Sequence, residues 1–588
     1  MSNYPNASIR HMAPMPVWAA AAIIAVAAWF LTTHYLHVFS EVINWDEFAL
    51  LERADRSVRF GTIVGAGRPG LVTIVLMPFV KGCIDATRSV VEARLLWQVI
   101  TLVYLAGVYF LVRRWFIHAG RPDEGRVQGL LAVALLAFLP AFVVWSVQVR
   151  TDQAALAAAV WGGFFLLSTG YWQAALAGAL FGISLLCTQK GIYPIVLFGA
   201  MLATASVARA WSGPAEPRSE LVLAAKRLAI AGLGAFALIG TYLLLVPEAT
   251  KVASQATLMS ALDTMRFTRA GQGYRIYTVH APRLVVHWVL FAALVLWSAR
   301  IVRNREKPEI VLLATSWLAL LLGLAIIAFH GSAFPYFIMT AGLFPALALA
   351  MAAGRPIAMA GRWSWFLVVL TIALAALQSG RESVQMLDDT QREQRDTLRL
   401  VYDSPLRDRR GYQVEGALLC MRDPEPLPVL FSAMIWNRFH DSPQAAENTA
   451  NFIKEFRSRP IAYIVDSYRL RQFPAEVRSF WSEHYLWYAH SLYVAGYNVK
   501  EPRDIDIVVP GRYRWDADAK SPAARLTIGS QTLRPGDSID LAVGVQRVEI
   551  VGAGAIGQLI LADLPKPQRD GYPFFYHHRQ ILQLDGRL

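Results

Sequence analysis

Apolar runs of roughly 17 to 23 residues recur along the first 380 positions, each closed by a short cluster of charged, Gly or Pro residues. A helix needs about 20 mostly apolar residues to cross a bilayer core, so this rhythm predicts a bundle of spanning helices. The runs fall at about 16–38, 93–112, 128–147, 154–169, 171–187, 191–209, 228–246, 283–301, 309–329, 334–353 and 363–379. One further run, about 70–80, is marginal: it follows Arg68-Pro69-Gly70 and soon meets Pro78, Lys81 and Gly82. The first run is too long for a typical signal peptide and reads as an uncleaved helix.

Beyond Arg381 the pattern changes. Residues 384–411 are highly charged and read as a linker helix. About 425–510 mixes short apolar runs, such as Ile461–Val465, with helical stretches, which suggests a small α/β unit. From about 512, strands are predicted at Ala524–Ile528, Ser538–Val543, Arg547–Val551 and Gln558–Ala562, with Arg534-Pro535-Gly536-Asp537 as a turn. The expected fold class is a polytopic α-helical membrane protein of about eleven transmembrane helices with a C-terminal soluble α/β plus β-sandwich domain. The division is 1–380 for the membrane part, 381–511 for the linker helix and α/β unit, and 512–588 for the β-sandwich. That last shape is common among carbohydrate-binding modules, although shape alone does not establish sugar binding. Aromatic residues gather at Phe480-Trp481 and Tyr485-Leu486-Trp487-Tyr488; packed core is their commoner use, stacking on sugar rings the functional one.

Composition agrees with a membrane class. Of 588 residues, 55% are hydrophobic and 17% charged, with mean hydropathy +0.37; soluble domains carry about 25% charged residues. The net charge of +13 is not a nucleic-acid footprint, because much of it sits in short loops between apolar runs. Those loops orient the chain. If the N-terminus is cytoplasmic and 70–80 does not span, four basic groups fall inside: Arg113/Arg114/Arg121/Arg126, Arg209/Arg218/Lys226/Arg227, Arg300/Arg303/Arg305/Lys307 and Arg355/Arg362. If 70–80 spans, all of them fall outside. The run is therefore read as interfacial or re-entrant, and eleven spans put residues 380–588 on the outer face of the inner membrane. Cys83, Cys187 and Cys420 have neither metal-ligand spacing nor the look of a disulfide framework. The helix interiors are nearly free of ionisable residues, which weighs against the rival reading of a transporter or flippase for a lipid-linked glycan.

On this topology the polar groups gather on the outer face. Asn44-Trp45-Asp46-Glu47 follows the first helix. An adjacent acid pair suits a general base or a cation ligand, but Asn44 with Glu47 three residues on also fits a helix-capping box. Gln148-Val149-Arg150-Thr151-Asp152 and Thr188-Gln189-Lys190-Gly191 lie in outer turns; Lys190 suits a lipid phosphate or simple snorkelling. The loop 247–282 carries Lys251, Arg266, Arg269 and Arg275 with Tyr274 and Tyr277, followed by Arg283 and His287, a phosphate-binding composition or an ordinary exposed loop. His330 stands in a short outer turn. A non-catalytic membrane scaffold, the second rival, does not require acids to converge on one face.

These segments, in this order, resemble the GT-C superfamily of membrane glycosyltransferases, and most closely the branch of protein O-mannosyltransferases and the lipid A aminoarabinose transferase. The resemblance covers about residues 16–380. Trp45-Asp46-Glu47 matches the family's Asp-Glu pair. Gly67-Arg68-Pro69-Gly70-Leu71 stands where members often have His-Pro-Pro-Leu, Glu92-Ala93-Arg94-Leu95 resembles the start of the next span, and Arg150-Thr151-Asp152 resembles a later acidic motif. Pro335-Tyr336-Phe337 through Phe344-Pro345-Ala346-Leu347 resembles a late Arg-Tyr and Pro pattern. There are departures from it: Gly70 replaces the second proline, and Pro335 replaces the arginine.

The resemblance implies a polyprenyl-phosphate sugar donor and an acceptor hydroxyl on a glycan, lipid or protein, within membrane lipid and with no nucleic acid. Asp46, Glu47 and Asp152 would be catalytic. Lys190, Arg266, Arg269, Arg275, Arg283 and His330 would hold the donor phosphate; Trp45, Arg150 and Tyr274 would face the acceptor. No cofactor is implied with certainty, and a divalent cation on the acids is compatible with the pattern.

Overall fold

The computed structural model describes residues 14–575. Outside the description lie 62–69, 120, 123, 213–216, 247–283, 305–306, 330–336, 361–362, 389–390, 415, 422–426, 428–429, 431, 518–523, 553–555, 563 and 565–574.

Every one of the eleven long apolar runs coincides with a helix. The order is α1 (Val17–Ser40), α2 (Trp45–Phe60), α3 (Leu71–Val80), α4 (Ala86–His118), α5 (Gly125–Ala137), α6 (Pro140–Trp145), α7 (Thr151–Leu166), α8 (Tyr171–Cys187), α9 (Ile192–Ser212) and α10 (Pro217–Leu245). There follow α11 (Val285–Asn304), α12 (Lys307–Phe329), α13 (Ile338–Met359) and α14 (Ser364–Asp388). By length and composition six helices among the described residues suffice to cross a membrane, and several more are apolar but shorter. The marginal run is α3, ten residues and so about 15 Å long, half of what a crossing needs.

The run 128–147, expected as one helix, is divided. Pro140 has no N–H and disfavours helix at the residue before it. The chain therefore breaks between α5 and α6, and then again at Ser146–Arg150. Elsewhere small residues permit close approach: a Cβ on Gly178 of α8 would lie 2.0 Å from the Ala231 carbonyl of α10.

The two ends of α4 differ. Arg94 lies near one end and Arg113, Arg114 and His118 at the other, about 36 Å away for 24 residues. At that far end Arg121 pairs with Glu309 at 3.3 Å, Arg209 donates to the His118 carbonyl at 3.2 Å, and Arg209 meets Glu220 at 3.8 Å. Basic loops distant in sequence thus share one end of the bundle, opposite the Arg94 end.

At the Arg94 end sits the C-terminal part. Helix α15 (Arg392–Tyr402) leads into β1 (Arg410–Tyr412), α16 (Ser432–Phe439), α17 (Ala445–Ser458), β2 (Ile461–Val465), α18 (Ala475–His484), β3 (Tyr485–Ala489), β4 (Leu492–Val499) and β5 (Arg503–Ile507). Then come β6 (Gly511–Ala517), β7 (Arg525–Ile528), β8 (Gln531–Leu533), β9 (Ser538–Leu541), β10 (Gly544–Val551) and β11 (Gly557–Leu561). One sheet has the order β1-β2-β4-β11-β6-β9, with β3 also on β4; the other is β5-β10-β7-β8. Strand β11 lies between β4 and β6, and β10 pairs with β5. Strands from either side of residue 511 therefore share both sheets instead of forming two units end to end. Phe480, Trp481, Tyr485 and Tyr488 are buried in the same core, the packing use of those aromatics.

That core continues into the membrane part through Ile43, Phe48, Leu51, Val72 and Trp97. The contact is also covalent. Cys83, just after α3, forms a disulfide with Cys420, with Cα atoms 5.5 Å apart and 337 residues between them in sequence. This corrects the expectation of no disulfide. Two lone cysteines so far apart form no spacing pattern, and only the docking of the C-terminal domain reveals the pair.

Candidate active site

The link between α1 and α2 is held rigidly from three sides. Asn44 caps α2: its Oδ1 accepts from the Asp46 N–H at 3.0 Å, and its own N–H donates to Glu47 Oε2 at 2.9 Å. The capping reading is thus correct for Asn44 and Glu47. From α15, Gln394 bonds both the N–H and the carbonyl of Ile43 at 2.8 Å. Gln391, just ahead of that helix, donates to the carbonyls of Val38 and Glu41.

Glu47 does more than cap. It is fully buried and meets the fully buried Arg94 of α4 in a two-pronged ion pair, 2.8 and 2.6 Å. Its Oε1 also accepts the Val149 N–H at 2.8 Å. Arg94 gives its remaining donors to the carbonyls of Val38, Glu41 and Val42. A buried charge pair is tolerable only when its lone pairs and protons are satisfied in this way. The pair therefore ties α1, α2, α4 and the α6–α7 turn together at one point, and Glu47 is not open to substrate or cation.

Asp46, one residue earlier, faces the other way and keeps its side chain 17% exposed. Its Oδ2 pairs with Arg150 at 2.5 Å, and Oδ1 has no partner among the described residues. Arg150 also donates to Gln148 Oε1 at 3.2 Å and lies over the Trp145 ring. The break after α6 makes this possible. The turn 146–150 is pinned by Trp97, whose Nε1–H donates to the Arg150 carbonyl at 2.8 Å, and by Gln153, which donates to the Ser146 carbonyl at 2.6 Å. Two residues on, Asp152 meets Lys190 at 3.0 Å, and the Lys190 ammonium lies over the Phe337 ring at 5.5 Å.

The outer domain reaches the same place. Arg469, following β2, stacks its guanidinium 4.1 Å from the centroid of Trp45. Trp45, Asp46, Arg150, Asp152 and Lys190, all chosen from sequence, therefore converge. Arg266, Arg269, Arg275, Arg283, Tyr274 and His330 lie outside the described residues. Sequence reading missed the partnership of Arg94 with Glu47 and the contribution of Arg469. Arg94 had a signal, a lone charge at the start of an apolar run; Arg469 had none. Among the described residues no three His, Cys, Asp or Glu side chains gather as a metal cluster.

Residues 86–217 match the family of dolichyl-phosphate-mannose-protein mannosyltransferases. The structure is similar to that of ArnT from Cupriavidus metallidurans bound to undecaprenyl phosphate: TM-score 0.51 and 12% identity, covering 76% of this chain and 93% of that one. For the apo state of the same protein the figures are 0.46 and 14%, covering 69% and 85%. For the arabinosyltransferase EmbB from Mycobacterium smegmatis they are 0.34 and 12%, covering 95% and 65%. No curated protein matches the chain by sequence. At 12% identity the first of these establishes a shared fold.

Proposed function

We propose that this chain, whose residues 86–217 match the dolichyl-phosphate-mannose-protein mannosyltransferase family, is a GT-C-type membrane glycosyltransferase that performs an inverting transfer of sugar from a polyprenyl-phosphate donor to an acceptor hydroxyl at the outer membrane face. The observation that carries the reading is the half-open Asp46, with Oδ2 fixed by Arg150 and Oδ1 left for a proton. The acceptor oxygen attacks the anomeric carbon as its proton passes to Asp46 Oδ1. The bond from that carbon to the phosphate oxygen breaks, and its electron pair leaves with the phosphate. That leaving group is already a stable anion and needs charge stabilisation, not a proton. Lys190, held by Asp152, is a described cation suited to it. Glu47 and Arg94 position Asp46 and take no part in proton transfer. The bound undecaprenyl phosphate of the similar ArnT structure supports a donor of that lipid class.

The disulfide supports the orientation. Structural disulfides persist in oxidising compartments, so the Cys83–Cys420 bond favours an outer location for α2, α3 and the C-terminal domain. The basic loops at the far end of α4 then lie inside, as the positive-inside rule asks. In this reading eleven helices cross the membrane, and the two-sheet domain covers the acceptor side.

The test is Asp46→Asn, measured as sugar transfer from a panel of polyprenyl-phosphate sugars by purified protein. General-base catalysis contributes roughly 10² to 10⁴-fold, so transfer should fall by about that much while donor binding persists. Near-normal transfer by Asp46→Asn removes the reading's main support.

A further inference from the structure

A second site lies further along α2. Between that helix and the β1 edge of the larger sheet is a cleft that opens to solvent. Its width is fixed by two cross-links at the same residue: Cys420 is disulfide-bonded to Cys83, and its N–H donates to Asp55 Oδ2 at 3.2 Å. Its lining includes Glu52, Asp55, Arg56 and Arg59 of α2, together with Arg409, Leu418 and Met421 from the C-terminal part.

The charges in this cleft do not cancel. Arg59 is taken up by Asp55, with contacts of 3.0 and 2.8 Å. Arg56 reaches Glu52 only at 3.7 Å. Arg409 donates to the Pro510 carbonyl at 3.2 Å and has no acidic partner among the described residues. Each guanidinium has five N–H donors, so Arg56 and Arg409 both retain unused donors toward the cleft. Burial pushes the carboxyls of Glu52 and Asp55 above their usual range, opposed by the neighbouring arginines.

Arg56 stands ten residues after Asp46 on the same helix, about 15 Å along its axis. We propose that this cleft is a distal acceptor subsite that takes a carboxylate or phosphate group carried on an extended glycan, some 15 Å from the reacting hydroxyl. The proposal rests on the glycosyltransferase reading for the word acceptor; the anion site itself does not. Arginines contributed by two separate segments suit a grip on a planar or tetrahedral anion, and the apolar lining residues suit the face of a sugar ring.

The test is equilibrium binding of glucuronate and glucose 6-phosphate to the full chain in phosphatidylcholine nanodiscs, with glucose as the neutral control. Wild type and Asp46→Asn should bind both anions alike, and glucose should not bind. Arg56→Gln combined with Arg409→Gln should weaken anion binding at least tenfold while leaving thermal unfolding unchanged. Equal binding by the double variant, or binding of glucose as strong as of the anions, overturns the subsite. A second arm uses phosphatidylglycerol nanodiscs. Capture of that lipid with no binding of the soluble anions makes the cleft a lipid-headgroup site and overturns the acceptor assignment. Because binding is read without turnover, loss of the subsite leaves the role of Asp46 intact, and active Asp46→Asn leaves the subsite intact.

Discussion

Two acid–base pairs stand side by side at the start of α2, and their surroundings are opposite. Glu47–Arg94 is sealed, with every acceptor position of the carboxylate filled and neither side chain touching solvent. Asp46–Arg150 is open on one side, with one carboxylate oxygen held and the other not. The same residue chemistry thus serves two purposes one position apart. The sealed pair fixes where four segments meet, and the open pair inherits a rigid base from which to act. A catalytic group must be held to within a fraction of an ångström; if Asp46 is the base, as proposed, that precision comes from the buried neighbour.

The largest effect that could break this contrast comes from the sealed side. Removing one partner of a buried pair leaves an uncompensated charge and costs about 3–5 kcal/mol. Glu47→Ala and Arg94→Ala should each lower the thermal unfolding temperature in detergent strongly, whereas Asp46→Asn, which keeps an oxygen for the buried Arg150, should lower it far less and still cut transfer by roughly 10² to 10⁴-fold. Similar melting for the Glu47 and Asp46 variants would erase the distinction. A milder disturbance acts on the clamp outside the link. Loss of a native disulfide typically costs about 2–4 kcal/mol; Cys83→Ser should destabilise by that order and free Cys420 for thiol labelling in membranes. Failure to label Cys420 in Cys83→Ser, or ready labelling of both thiols in untreated wild type, would remove the covalent tie and the orientation argument with it.

A third buried acid sharpens the comparison by having neither arrangement. Asp466, at the end of β2, is buried enough to push its carboxyl up to about 7, with Arg471 only partly opposing that. Its folded value therefore exceeds the unfolded one near 3.8. A group raised in this way contributes stability that is present at low pH and lost as pH rises through the folded value. Stability should fall by about 2–3 kcal/mol between pH 5 and 8, and Asp466→Asn should flatten that dependence. A wild-type profile already flat over this window would mean the carboxyl is hydrated instead of buried.

Much of this was readable in advance, for reasons that differ by region. Membrane helices must be apolar along their length, so every one of the eleven runs marked a helix. Asp46, Arg150, Asp152 and Lys190 showed themselves as charges where the pattern was otherwise apolar. What stayed hidden depends on contacts between distant segments. Arg94 and Glu47 are 47 positions apart, Cys83 and Cys420 are 337 apart, and β11 enters a sheet begun by β1. The division of the 128–147 run was written in Pro140 but outweighed by the length of the apolar stretch. The linker helix was expected, yet its glutamines, Gln391 and Gln394, looked like ordinary surface residues and in fact grip the backbone on which Asp46 is mounted.

The smallest effect is expected where the soluble domain touches the open side. Arg469 is almost wholly buried, donates to Tyr468 Oη at 3.2 Å, and lies 4.1 Å from the Trp45 ring centroid. A desolvated cation–π contact of this kind is worth about 2 kcal/mol. Trp45 precedes Asp46, so in the proposed mechanism Arg469 is a positioning residue that fixes an indole bordering the acceptor space. Arg469→Lys keeps the charge but loses the planar stack. It should raise the acceptor KM several-fold with kcat and donor KM little changed, and Arg469→Ala should extend the same trend. Trp45→Phe retains a π face and should recover most of the acceptor affinity, whereas Trp45→Ala should behave like Arg469→Ala. If Arg469→Ala and Trp45→Ala are additive in the double variant, the two side chains do not act through each other, and the soluble domain has no part in the open side of the site.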